Sequence, residues 1–141
     1  INKNNLNSII KNFDIIVDGS DNFKTKFLIN KYSIKYKKIL ILGAISKFDG
    51  HVFTFDFKQK KTACLKCFYQ SEPSDEILNC ETEGIMGPVA GIIANIQANE
   101  VLKKILNIGS DLQNSILIVN LLSLKFKKVS FKKKRKCICE K

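Results

Sequence analysis

Tryptophan is absent from this chain, arginine and alanine are scarce, and acidic side chains are outnumbered, 13 Asp and Glu against 24 Lys and Arg. Lysine, asparagine and isoleucine are over-used throughout. Such a skew is the imprint of a compositional bias on every exposed position, so the formal net charge of +11 reads first as solvated surface. Long hydrophobic runs are also missing. The longest, Ile85 to Ile96, is interrupted by Gly87, Pro88 and Gly91 and falls short of the roughly 18 to 20 apolar residues that cross a bilayer. No internal repeat is visible. No secretory signal opens the sequence and the cysteine count is odd, which in a lysine-rich chain predicts a reducing, cytoplasmic setting rather than a disulfide framework.

What is present suits one domain. A length of 141 residues with 45 % hydrophobic content is enough for a real core. The first residue is Ile1 rather than Met, and apolar material begins almost at once, as in a piece of something longer. Charge is concentrated only between Lys125 and Lys136, where Leu124, Phe126, Val129 and Phe131 alternate with lysines as in an edge strand followed by a basic run. A solvated edge is the favoured reading of that tail, ahead of a nucleic-acid or acidic-partner patch.

The five cysteines are unevenly placed: Cys64-x-x-Cys67 in the middle, Cys137-x-Cys139 near the end, and Cys80 alone between them. A tetrahedral thiolate site takes four sulfurs, usually as two close pairs, and tolerates a long intervening segment because loop closure grows only logarithmically with length. Structural zinc on Cys64, Cys67, Cys137 and Cys139 is therefore the leading reading. The short Cys-x-Cys spacing departs from the usual two spacers, and buried free thiols or disulfides stand as the alternatives. Cys80 reads either as a small hydrophobe or as a reactive thiol in a polar loop beside a helix start.

The order of elements predicts an α/β fold. Phe13 to Asp18 is a β-branched run of the kind buried in a parallel sheet; it ends in the turn Gly19-Ser20-Asp21-Asn22, and a helix follows with Phe23, Phe27, Leu28 and Tyr32 on its apolar face. Lys38 to Gly43 reads as a second buried strand, and His51 to Phe57 alternates as a half-exposed one, so the sheet is expected to be mixed. Lys58 to Glu83 reads as a long loop. A helix from Gly87 to about Asn107, stopped by Gly109 and mostly buried, and strands over Ile116 to Asn120 and Leu124 to Phe131 complete the pattern.

Ligands of open α/β sheets bind beyond the carboxyl ends of parallel strands, which is where Asp21 stands. A carboxylate there can hold a Mg²⁺ that bridges nucleotide phosphates, or it can simply cap the helix.

The stretch Val17-Asp18-Gly19-Ser20-Asp21-Asn22-Phe23-Lys24-Thr25-Lys26 resembles the V-D-x-x-D-N-x-x-T-R signature of the ThiF/MoeB/HesA family, relatives of ubiquitin-activating enzymes. Further segments agree: Gly43-Ala44 with Gly50-His51-Val52, the Cys64-x-x-Cys67 knuckle, and Cys80 to Val89 followed by Gly91 and Gln97-Ala98-Asn99-Glu100. The resemblance spans nearly the whole chain. It implies a Rossmann-like mixed sheet flanked by helices, specifically the C-terminal half of a ThiF-type fold with a zinc knuckle.

By that resemblance the chemistry is ATP-dependent adenylation of the C-terminal glycine of a small ubiquitin-like sulfur-carrier protein ending in Gly-Gly, with release of pyrophosphate. Asp21 is expected to bind Mg²⁺, Asn22 to contribute to the nucleotide site, and Cys80 to match the cysteine that attacks the activated carrier in several members; the family also implies a homodimer. The glycine-rich nucleotide loop, the acidic ribose-binding residue and the phosphate-contacting arginine and lysine of the family lie upstream of the region resembled. Residues 1–141 are thus expected to be a partial adenylation domain, inactive by itself. Lys26 replaces the family arginine and loses its planar fork. Two other readings remain: a non-enzymatic zinc module docking a partner through its basic tail, and a thiol sulfurtransferase acting through Cys80 without ATP.

Overall fold

The computed structural model describes residues 2–73 and 84–140. Cys80 and the rest of residues 74–83, the end of the segment read as a loop, lie outside the described residues. Among the described residues four helices and five strands follow in the order α1 (Lys3–Lys11), β1 (Ile15–Asp18), α2 (Phe23–Lys35), β2 (Ile39–Ser46), β3 (Asp49–Asp56), α3 (Leu65–Phe68), α4 (Gly87–Leu106), β4 (Ser115–Asn120) and β5 (Lys125–Ser130). The strands form one sheet in sequence order. Only β1 and β2 are parallel, with Ile15 opposite Ile39 and Asp18 opposite Leu42; β2 to β5 form an antiparallel meander. The sheet is mixed, as expected.

Strand alternation sends successive side chains to opposite faces, and each face has its own cover. On one side Leu40, Leu42, Phe53, Phe55 and Ile116 meet Leu6 and Ile10 of α1 and Ile29 of α2. On the other, Ile39, Ile41, Val52 and Val119 meet Val89 and Ile93 of α4. Each fully buried aliphatic or aromatic side chain contributes about 1.5–3 kcal/mol. The double cover explains one departure from the sequence pattern. The alternation in β3 predicts a half-exposed strand, yet Val52 to Phe55 are all buried because helices lie on both faces.

Three further differences have local causes. The opening apolar material folds as α1, whose Asn2 and Asn5 exchange side-chain to main-chain hydrogen bonds at 2.8 and 3.1 Å and so close its first turn. Within the segment read as a loop, Leu65–Phe68 forms a short helix, tied to α2 by the Leu65 N–H donating to Asn30 Oδ1 at 3.1 Å.

The last difference concerns α4, which begins on Pro88 in its first turn and ends at Asn107 in the left-handed conformation (φ 53°). It is not mostly buried. Val89, Ile93, Gln97 and Glu100 face the sheet, whereas Leu102, Ile105 and Leu106 are more than half exposed, because they continue the outward stripe of Gly91, Ala94, Asn95, Ala98 and Asn99 on the opposite side of the helix.

Candidate functional site

The turn after β1 is built from its own polar atoms. Asp18, the last residue of β1, is buried; its Oδ1 accepts from Ser20 N–H at 2.9 Å and folds the chain back. Asn22 then caps α2, its Oδ1 accepting from Thr25 N–H at 2.8 Å. Asp21 does not cap the helix: its carboxylate is exposed and, among the described residues, accepts only the Asn22 side-chain amide, at 3.0 Å. The capping alternative therefore belongs to Asn22, and Asp21 keeps oxygens free for another partner.

Behind the turn lies a buried polar group that sequence patterning places on the wrong face of the helix. The sheet-facing positions of α2 are Phe23, Lys26, Ile29, Asn30 and Ser33, while Phe27, Leu28 and Tyr32 are only half buried. Lys26 is 1 % exposed and donates to Asp18 Oδ2 at 3.2 Å and to Gly43 O at 2.6 Å. Burial pulls the Lys26 pKa down, while the charge of Asp18 and its hydrogen bond oppose that fall. From the opposite face, Gln97 of α4 donates to Asp18 O at 3.0 Å and Ile41 O at 3.4 Å. A Cβ at Gly43 would lie 2.6 Å from Gln97 Oε1, so a larger residue there displaces the Gln97 side-chain amide.

Above these contacts opens a cavity of about 420 Å³ lined by Gly19, Ser20, Asp21, Lys26, Gly43 and Gln97, among others. The Ser20 hydroxyl is buried and without a hydrogen-bond partner among the described residues, as a group awaiting a polar ligand would be. Through Ala44 and Ile45 this space adjoins a second cavity of about 460 Å³, where Phe23 and Tyr69 meet edge to face beside Asp49 and His51. Burial lowers the His51 pKa against the pull of Asp49, so the imidazole is neutral at pH 7.

The cysteines make a second site. Sγ separations are 3.9 Å for Cys64 and Cys67, 3.6 Å for Cys64 and Cys137, and 3.5 Å for Cys67 and Cys139, and all four sulfurs lie within 4.8 Å of one another. Sulfurs about 2.3 Å from one tetrahedral ion are about 3.8 Å apart, whereas a disulfide brings them to about 2.05 Å. The arrangement fits a tetrahedral ion and contains no bonded pair. The Cys-x-Cys spacing suffices because Cys137 and Cys139 reach different partners. Burial, and then the neighbouring Cys67, push the Cys64 thiol up to about 12, and burial likewise raises Cys139. Although burial also opposes charge on Cys67, main-chain hydrogen bonds from Lys134 and Cys64 hold that thiol below its ordinary range. Cys80, the fifth, lies outside the described residues.

The ThiF family description matches residues 1–141, the whole of this sequence. The chain belongs to the ThiF family. Among curated relatives, it is 33 % identical over 136 residues to an adenylyltransferase and sulfurtransferase MOCS3 of Drosophila persimilis, covering 96 % of the chain and 30 % of the relative. It is 30 % identical over 133 residues to the sulfur carrier protein adenylyltransferase of Thermus thermophilus, covering 92 % of the chain and 49 % of that protein. This ThiF-family chain thus spans between about a third and a half of the length of these curated relatives. The crystal structure of E. coli MccB with ATP superposes with a TM-score of 0.78 at 20 % identity, covering all of this chain and 45 % of that one, which shows the ThiF-type fold.

In this ThiF-family structure Asp21 and Asn22 share one turn and the four paired cysteines share one cluster. Sequence reading left Lys26 as a bare departure from the T-R pair and Gln97 as a motif letter. The signal for both was available in one respect only: each is polar at a position whose helical neighbours at i±3 or i±4 are apolar.

Proposed function

We propose that this chain is the C-terminal half of an ATP-dependent adenylyltransferase that activates the C-terminal glycine of a small ubiquitin-like sulfur-carrier protein ending in Gly-Gly. The observation that carries the reading is the turn beyond β1, where a free Asp21 carboxylate and an orphaned Ser20 hydroxyl border one cavity at the strand ends. The names of the curated relatives, a sulfur carrier protein adenylyltransferase among them, support it.

In this reading the carrier's terminal carboxylate attacks the α-phosphorus of ATP and pyrophosphate leaves. Asp21 would hold a Mg²⁺, which would supply charge neutralisation for the phosphate oxygens. Asn22, fixed as the helix cap, presents its remaining polar atoms to the nucleotide, and Ser20 donates its hydroxyl to an anionic oxygen. The adjoining cavity, mainly apolar but with Ser46, Asp49 and His51 on its wall, receives the activated acyl group. A Zn²⁺ bound by Cys64, Cys67, Cys137 and Cys139 ties residues 64–68 to the C-terminal segment and does no chemistry on the carrier. Cys80 is the thiol that attacks the acyl-adenylate of the carrier, forming a thioester as AMP leaves. The glycine-rich nucleotide loop belongs to the other half of the domain, the protein works as a homodimer, and its compartment is the cytoplasm.

The test is ATP–pyrophosphate exchange by the full product of the reading frame that encodes this stretch, with candidate Gly-Gly carriers. Exchange is expected only with a carrier and Mg²⁺, and Asp21→Ala is expected to lower it about 100-fold or more. Carrier-independent behaviour, or no response to Asp21→Ala, overturns the assignment. Exchange by residues 1–141 alone overturns the half-domain part of it.

A further inference from the structure

At the carboxyl end of the parallel pair, β1 and β2 part. Their ladder closes at Asp18 opposite Leu42, and Gly43 pairs onward only with Val52 of β3. The carbonyl of Gly43 therefore loses its neighbour on the β1 side just where the chain turns toward Asp21. Lys26 fills that gap from the α2 face, bonding Gly43 O at 2.6 Å and Asp18 Oδ2 at 3.2 Å. Gln97 does the same from the α4 face, bonding Asp18 O at 3.0 Å and Ile41 O at 3.4 Å. Asp18 is thus held by its carboxylate on one side of the sheet and by its carbonyl on the other. Its second carboxylate oxygen fixes Ser20 N–H, one residue before Asp21.

A buried ion pair of this kind is poor evidence for stability, because desolvating both ions consumes most of their attraction. Its value lies in directionality, since hydrogen bonds to charged groups specify one arrangement where an apolar contact tolerates several. We propose that Lys26 and Gln97 are positioning residues, a two-sided clamp on the ends of β1 and β2 that fixes the Gly19–Asn22 turn and so places the Asp21 carboxylate. Neither has to touch a substrate to do this. Lysine suits the position because a single compact ammonium reaches both a carboxylate and a carbonyl from a stem that runs through the core.

Two measurements on the full product separate positioning from general stability. Hydrogen–deuterium exchange read on peptides spanning residues 16–26 should quicken about tenfold or more in Lys26→Met and in Gln97→Met, with other peptides of the sheet unchanged. Lys26→Arg should restore most of the protection. Should Lys26→Met fail to fold because Asp18 is left unpaired, Asp18→Asn combined with Lys26→Met removes both charges and serves instead. Unchanged exchange over residues 16–26 in a folded variant, or quickening spread evenly over all peptides, overturns the clamp.

The second measurement rests on the adenylation reading: the Mg²⁺ concentration giving half-maximal pyrophosphate exchange should rise about tenfold in Lys26→Met and return with Lys26→Arg. An unshifted Mg²⁺ dependence in an active variant counts against the clamp. Absence of activity in the unaltered protein counts against the adenylation reading, and the deuterium measurement still decides the clamp.

Discussion

Helix α2 joins two buried polar clusters that solve the same problem in opposite ways. At its start Lys26 meets Asp18, a cation against an anion, with main-chain carbonyls completing the set. Further along, Asn30 holds the Leu65 N–H, and Ile34 packs on the cysteine cluster, where four like ligands converge. The first cluster is neutral from the chain's own charges. In the second, burial and the neighbouring Cys67 push the Cys64 thiol up to about 12 while Cys67 is held below its ordinary range, so a fully ionised set of four needs an outside cation. Proximity of like groups signals an external cation, and proximity of unlike groups signals a finished internal joint.

Breaking the second cluster should have the larger effect. The purified protein is expected to carry one zinc per chain; Cys64→Ser or exhaustive chelation should remove it and lower the melting midpoint by about 10 °C or more. Retention of stoichiometric metal by both Cys64→Ser and Cys137→Ser would show that the cluster is not the site.

The first cluster should yield less, and to a smaller intrusion. Gly43→Ala places a Cβ 2.6 Å from the Gln97 side chain and forces it off Asp18 and Ile41, so a loss of about 1–3 kcal/mol is expected in denaturant unfolding. Gly19→Ala is the matched control: nothing lies within 4 Å of its Cβ, and a change within about 0.5 kcal/mol is expected. Equal effects at the two glycines would mean that Gln97 yields freely. Smallest of all is the helix cap. Asn22→Ala should cost about 1 kcal/mol and Asp21→Ala almost nothing, and the reverse order would hand the cap to Asp21.

Much of this was legible in residue order. Period-two and period-3.6 patterns located β1, β4, β5 and α4 to within two residues of their ends, and β2 to within three, its end running on from Gly43 to Ser46. The Asp21-Asn22 turn and the two cysteine pairs were legible as motifs, since short spacings carry their own geometry. The inner face of α2 was not. A helical wheel assigns Phe27, Leu28 and Tyr32 to the core, but the partners of Lys26 and Asn30 lie on strands and loops distant in sequence, and their specific bonds rotate the helix toward them. The distal end of α4 misleads in the converse way: Leu102, Ile105 and Leu106 are apolar on the face that points away from the sheet.

One consequence follows from where β1 sits. A parallel strand is ordinarily interior, yet among the described residues β1 has a neighbour on one side only, and Val17 and Phe13 are more than half exposed along it. Its outer N–H and C=O groups form a short adhesive margin, and unlike β5 at the other border it has almost no lysines to repel an approaching strand. Handled as residues 1–141 alone, this molecule is one-sidedly sticky, and its colloidal behaviour will be governed by four residues, Ile15 to Asp18, more than by its large net charge.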